Sequence, residues 1–242
     1  MTDKLVVLIS GANKGIGYQV AKLFAGSGTI TYIGSRNEAL GLKAKEELSK
    51  DLPNADIRVI KLELGNIETV KLAVDKITKE TGKLDYLINN AAVALGYGKP
   101  SQYDPEILRK TYDINFFGTV ELTQFFIPLL RKGNEKVIVN VSSDLGSLQL
   151  QNYGGFKHNA VNFLSYNTSK TALNAFTVVL SKELAAEGFR INSVNPGFTK
   201  TDLNRNTGER TPEYAGKIVY EAAIKQHGTG RFLGEDYTIH PW

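Results

Sequence analysis

The chain has no cysteine and only three histidines among its 242 residues. Without thiols it can form neither a disulfide nor a thiolate-held zinc site. His158, His227 and His240 stand apart from every motif discussed below, so no metal site is expected. Long apolar runs are missing as well. The N-terminal run spans only Leu5 to Ile9 before glycine, too short for a secretory core, and no stretch approaches the ~20 residues of a membrane span. Gly-x-Ser-x-Gly does not occur, which removes the usual serine-hydrolase elbow. Basic residues barely outnumber acidic ones, 29 to 25, and lysines at 43, 45, 50, 71, 76, 79 and 83 are mixed with acids as on a solvated helix face. There is no basic patch interleaved with aromatics to argue for nucleic acid. Repeats, low-complexity tracts and linkers are absent too. The expectation is one soluble, cytoplasmic domain spanning residues 1–242, with neither membrane nor nucleic-acid partners.

What is present is a regular alternation. Apolar, β-branched stretches recur at 5–9, 29–33, 57–62, 84–88, 136–141 and 190–194, with a last candidate near 232–239, and helical patterns lie between them. This predicts an α/β fold: a doubly wound, Rossmann-type, mostly parallel sheet of about seven strands with helices on both faces. Asp104-Pro105 and Thr211-Pro212 each read as an N-cap followed by proline at the first helical position. Pro128 lies inside the long helical pattern of 105–132 and should kink or shorten it.

Two short segments carry chemistry. Ser10-Gly11-Ala12-Asn13-Lys14-Gly15-Ile16-Gly17 follows the first strand, and Ile16, Val20, Leu23 and Phe24 then recur at helical spacing. Glycines in a strand-to-helix turn permit positive φ and a close approach of backbone to a pyrophosphate, which the helix N-terminus attracts. Further on, Tyr166 and Lys170 are four residues apart on one helical face in Ser165-Tyr166-Asn167-Thr168-Ser169-Lys170. An ammonium beside a phenol favours the tyrosinate and should lower its pKa from about 10. Such a tyrosine can exchange a proton with a carbonyl or alcohol oxygen.

Four further motifs follow in order: Asn89-Asn90-Ala91-Ala92 after the fourth strand, Asn115 in Asp113-Ile114-Asn115, Ser143 in Val141-Ser142-Ser143-Asp144-Leu145-Gly146 after the fifth, and Asn195-Pro196-Gly197 after the sixth. With the two segments above, the chain resembles the short-chain dehydrogenase/reductase family over nearly its whole length, specifically compact members of carbonyl-reductase type. The resemblance implies an NADP(H)-dependent interconversion of carbonyl compounds and alcohols. Tyr166 would be the general acid/base. Lys170 would lower its pKa and bind the nicotinamide ribose, Ser143 would hold the substrate oxygen, and Asn115 would support a water leading from Lys170. Gly11, Asn13, Lys14, Gly15, Ile16, Gly17, Arg36, Glu63, Leu64, Asn90, Tyr166, Lys170, Pro196, Gly197 and Thr199 would form the cofactor site. A non-catalytic NADP(H)-binding sensor or scaffold of the same fold is the alternative.

The chain departs from the family pattern in places. Ser10 replaces threonine, Ala92 replaces glycine, and Glu63 stands where an aspartate contacts adenine. Ser35 occupies the position of an acidic residue in NAD-preferring relatives, and Arg36 follows it. Arg36 with Lys14 therefore points to a 2′-phosphate and to NADP. The stretch between Ser143 and Tyr166 is longer than usual, and it is expected to insert a loop of about 147–163 near the substrate mouth. Leu145, Tyr153, Phe156, Phe163 and Phe198 are candidates for an apolar substrate wall, with Ser143 at its base. A homo-oligomer pairing the helices of 105–132 and 165–187 is compatible with the resemblance.

Overall fold

The computed structural model describes residues 3–242. Seven strands, β1 (Val6–Ser10), β2 (Ile30–Ser35), β3 (Ile57–Lys61), β4 (Tyr86–Asn89), β5 (Val137–Val141), β6 (Arg190–Val194) and β7 (Arg231–Leu233), form one sheet in the order β3-β2-β1-β4-β5-β6-β7. Every neighbouring pair is parallel. Helices α1 (Gly15–Gly26), α2 (Glu38–Asp51), α3 (Ile67–Glu80), α4 (Pro105–Tyr112), α5 (Gly118–Arg131), α6 (Leu148–Gln151), α7 (Leu164–Glu183) and α8 (Pro212–Ile224) lie between the strands. Among the described residues no helix is long and apolar enough to cross a membrane.

Both faces of the sheet are covered, which is why β1 is apolar throughout rather than alternating. Its side chains still divide by the two-residue period of a strand. Val7 and Ile9 enter a core with Val20, Phe24 and Val219, whereas Val6 and Leu8 enter the opposite core with Leu122, Phe126 and Leu180. On the first face α1 packs against α8, and Phe24 meets Tyr220 edge-on at 4.9 Å.

The strand order reverses between β1 and β4, and such a switch point opens a crevice at the carboxyl ends of the strands. Ser10 fastens that opening. Its hydroxyl accepts from the backbone N–H groups of Asn90 and Ala91, both at 3.0 Å, while Asn90 Nδ2 donates to the carbonyls of Ser10 and Gly11 at 2.9 and 3.1 Å.

Three local expectations need correction. The helix of 105–132 is interrupted by a π turn at Asp113–Phe117, and Pro128 does not end it, since α5 runs on to Arg131. Only one turn follows Pro128, so its missing N–H costs a single hydrogen bond. The last strand is confined to 231–233. A turn beyond it, in which Tyr237 N donates to Gly234 O and Tyr237 takes a positive φ of 64°, brings Ile239 back antiparallel to Leu233. The helix of 165–187 ends at Glu183, and a 3₁₀ turn at Ala185–Glu187 leads to Gly188 at φ 81°. Both expected caps are formed, Asp104 accepting from Glu106 N at 2.9 Å and Thr211 from Tyr214 N at 3.3 Å.

Candidate active site

The turn between β1 and α1 leaves a cradle of bare backbone. Gly11 and Gly15 take φ of 65° and 59°, which glycine adopts at little cost. At Gly17 a Cβ would come 2.5 Å from Asn90 Nδ2 and 2.6 Å from the Gly11 carbonyl, so no larger residue fits. Lys14, at the N-cap of α1, supplies no side-chain hydrogen bond to the helix. The first N–H groups of α1 therefore face the crevice, an arrangement that takes an anion such as a pyrophosphate. Asn13, Gly15 and Ile16 are partly buried around it, and Lys14 is exposed.

Across the crevice, β5 and α7 bring Ser143, Tyr166 and Lys170 together. Lys170 is 3 % exposed, and its Nζ donates to the carbonyl of Val141, at the end of β5, at 2.7 Å. The same ammonium lies 5.7 Å from the centroid of the Tyr166 ring. Ser143 comes from the segment leaving β5, and its hydroxyl lies near enough to the Tyr166 phenol to favour the tyrosinate. Gly146 permits this closeness, because a Cβ there would stand 2.9 Å from the backbone of Lys170.

Asn115 lies in the π turn and is 1 % exposed. Its carboxamide pairs with both backbone groups of Val93, accepting from the N–H and donating to the carbonyl at 2.8 Å each. It also donates to Ser169 Oγ at 3.1 Å, and Ser169 in turn donates to the Tyr166 carbonyl at 2.8 Å. Asn115 thus ties the segment after β4 to the turn of α7 that carries Tyr166, and its hydrogen bonds go to Val93 and Ser169 rather than to Lys170. π turns occur often at functional sites.

The electrostatics reverse one expectation. Burial and the Asp144 carboxylate push the Tyr166 phenol up to about 12, against a smaller downward pull from Ser143. Burial brings the Lys170 ammonium down to about 8. Desolvation outweighs the pairing that was expected to lower the tyrosine, because it penalises the charged form of each group. In this state the phenol holds its proton firmly.

A family model described as short chain dehydrogenase matches residues 5–212. The chain belongs to the short-chain dehydrogenase family. It is 30 % identical to a (+)-neomenthol dehydrogenase of Arabidopsis thaliana, over 91 % of each protein. Among solved structures it resembles the carbonyl reductase Sniffer of D. melanogaster, with a TM-score of 0.85 and 27 % identity over 99 % of this chain and all of that one. It also resembles the NADPH-bound carbonyl reductase from chicken fatty liver, at a TM-score of 0.85 and 25 % identity over 99 % of this chain and 95 % of that one.

The remaining candidates in this dehydrogenase are spread around the crevice. Ser35 is buried and its hydroxyl donates to the Asn37 carbonyl at 2.7 Å, whereas Arg36 is exposed. Lys14 does not stand free beside Arg36. Its Nζ pairs with Asp202 Oδ2 at 2.5 Å, joining the glycine turn to the segment after β6. Glu63 and Leu64 line a surface recess with Gly65, Asn66 and Ile67. Pro196 is buried, Gly197 has φ 81°, and Thr199 is buried with its hydroxyl donating to the Gly197 carbonyl at 3.0 Å.

The expected loop folds back toward Ser143. Phe156 meets His158, and His158 meets Phe198, with ring centroids 5.5 and 5.7 Å apart. Leu145 N donates to Ser143 Oγ at 3.2 Å. Tyr153 is 65 % exposed and lies over Gly155, on the outer side of the loop, and Phe163 turns instead to Tyr97 at 5.1 Å. Sequence reasoning missed Asp144, His158, Ser169 and Asp202. Asp144 stood in the serine motif, and His158 lies within the loop expected at about 147–163. Nothing local pointed to Asp202, which lies 188 residues from its partner.

Proposed function

We propose that this dehydrogenase is an NADPH-dependent carbonyl reductase that interconverts ketones or aldehydes and alcohols, with Tyr166 as proton donor and acceptor. The observation that carries the reading is the convergence of the Ser143 and Tyr166 hydroxyls above the buried Lys170 ammonium. Hydride addition puts negative charge on a carbonyl oxygen, and two fixed hydroxyl donors stabilise that charge as it forms. Tyr166 then gives its proton to the oxygen. A phenol held near 12 is fully protonated at neutral pH, which suits the reductive direction.

When bound, the nicotinamide dinucleotide supplies the hydride. The glycine cradle at 11–17 would hold its pyrophosphate, since the backbone there is bare and the N-terminus of α1 has no side-chain cap. Lys170 would hold the ribose, and the Pro196–Thr199 segment would border the nicotinamide. Asn115 keeps the Tyr166 turn in register through Ser169, and would support a water leading from Lys170. For the 2′-phosphate, Arg36 would offer an exposed cation beside Ser35, which stands where NAD-preferring relatives carry an acidic residue. The chicken reductase, described as NADPH-bound, agrees with this choice.

The test is NADPH consumption against a panel of ketones, ketoesters and aldehydes, with product chirality recorded. Turnover that Tyr166→Phe abolishes is the expected result. Tight cofactor binding without turnover of any carbonyl would instead mark a sensor or scaffold.

A further inference from the structure

Beside Ser143 stands a carboxylate for which the reduction has no use. Asp144 is buried, its side chain 11 % exposed, and Ser143 Oγ donates to its Oδ1 at 3.3 Å. The loop approaches the other oxygen, with His158 Nε2 3.6 Å and Lys157 Nζ 3.9 Å from Oδ2. His158 is held in place by two aromatic edges, meeting Phe156 at 89° and Phe198 at 67°. One imidazole therefore touches the loop, the segment after β6, and the carboxylate next to the reacting hydroxyls.

Charge makes this placement consequential. An anion near a phenol opposes the tyrosinate, and a cation on the far side of that anion offsets it. When Tyr166 gives up its proton it becomes a second anion beside Asp144, which is costly unless the carboxylate is compensated. In the docked loop the Lys157 ammonium and the polar ring edge of His158 face that carboxylate and offset it.

We propose that Asp144 and His158 are a positioning pair, the loop's imidazole seating on the carboxylate and so coupling loop docking to proton transfer at Ser143 and Tyr166. The inference rests on Tyr166 being the proton donor. The other charged groups around the pair are Lys170 from α7, Lys157 from the loop, and Arg210 with Glu235, which engage each other at 2.7 Å. None of these reaches the carboxylate from the same side as His158 except Lys157, which is more exposed.

The test is an ultraviolet titration of the tyrosinate band in the NADP⁺ complex, with the matching Tyr166→Phe protein subtracted so that only Tyr166 is read. Asp144→Asn should lower the tyrosine's apparent pKa by about one pH unit, by removing a neighbouring negative charge. His158→Gln should raise it by a smaller amount, because it withdraws the ring nitrogen that faces that carboxylate. In the double variant the His158 effect should vanish. The pH profile of alcohol oxidation, which needs the tyrosinate, should move the same way in each protein. An unmoved titration in Asp144→Asn, or a His158→Gln shift of equal size in both backgrounds, would overturn the pairing. Should Asp144→Asn fail to fold, Lys157→Gln with His158→Gln leaves the carboxylate in place and must still raise the value. The underlying reading fails separately: Tyr166→Phe retaining carbonyl reduction would sink it, whereas an inactive Tyr166→Phe with an unmoved titration sinks only the pairing.

Discussion

Lys170 holds its ammonium 5.7 Å from the centre of the Tyr166 ring while giving a hydrogen bond to the end of β5. Both residues stand on α7, one turn apart, so the helix sets their separation, and the hydrogen bond to Val141 fixes the lysine end against β5. Removing only the phenol oxygen leaves that arrangement intact. Tyr166→Phe should lose at least 10²-fold in turnover, the usual worth of a positioned proton donor. NADPH affinity, followed by the cofactor's fluorescence, should change little.

Lys170→Met should have two effects of opposite sign. The lysine's folded value of about 8 lies below its ordinary 10.5, so the unfolded chain binds that proton more tightly. The burial cost is fully present below pH 8 and fades as pH rises toward 10.5. It amounts to about 3 kcal/mol, from which the lost hydrogen bond to Val141 takes back roughly 1. The variant should therefore be more stable than wild type at pH 7, with an advantage that shrinks by pH 10, in denaturant titrations at both pH values. Turnover and cofactor binding should both suffer. A variant less stable at pH 7 would contradict the desolvated state of the lysine.

Cofactor choice should rest on Arg36. Arg36→Asp should weaken NADPH by roughly 10–150-fold, the range of one lost charge-assisted hydrogen bond, and favour NADH in relative terms. Unchanged NADPH kinetics would take Arg36 out of the site. Lys14 is engaged by Asp202 in this state, so any contact it makes to a phosphate must displace that carboxylate. Asp202→Asn should accordingly tighten NADPH several-fold, an effect that high salt reduces because the pair is exposed. Equal NADPH dissociation constants in the two proteins would show that the pair does not compete.

The loop's aromatics should differ in consequence. Phe156 reaches His158 and, through it, Phe198, whereas Tyr153 lies on the outside over Gly155. Phe156→Ala should change relative rates between bulky and small ketones, or the enantiomeric excess, more than it changes cofactor affinity. Tyr153→Ala should change selectivity less. Equal stereoselectivity in Phe156→Ala and wild type across the ketone panel would make the loop a surface excursion.

Asn115 is expected to matter for stability as well as rate. Asn115→Ala leaves both backbone groups of Val93 without their partner inside the protein, at a cost of about 1–3 kcal/mol for each unsatisfied group. A urea midpoint equal to wild type would show that water fills the gap.

The strands were legible because a sheet covered on both faces favours apolar, β-branched runs, which β1 shows most clearly, even though Arg58 in β3, Asn140 in β5 and Asn192 with Ser193 in β6 interrupt theirs. β7 was overread: Phe232 and Leu233 continue an apolar pattern, but Gly234 and Asp236 turn the chain back after three residues. The cluster of Ser143, Tyr166 and Lys170 was legible from the order of motifs. Its charge state was not, since burial depends on what packs over the residues rather than on their spacing. Nor does local sequence show that Lys14 meets Asp202, which depends on how the segment after β6 folds back over the glycine turn. Ser10 was readable as a hydroxyl in place of another, but its work in bridging β1 to β4 is visible only where the strands adjoin.

The π turn at 113–117 has a consequence for how this chain can be altered. A wide turn adds a residue to the helical repeat, so the faces of α4 and α5 are out of phase by about 100°, the rotation per residue of a helix with 3.6 residues per turn. That offset lets Asn115 point toward Val93 and α7 while Leu122 and Phe126 still point toward the sheet. Deleting any one residue of the turn would let an ordinary helix close and would then force a choice: keep the asparagine in place and roll the apolar stripe of α5 away from the core, or keep the stripe and lose the asparagine. Length, rather than residue identity, is what this stretch is least free to change.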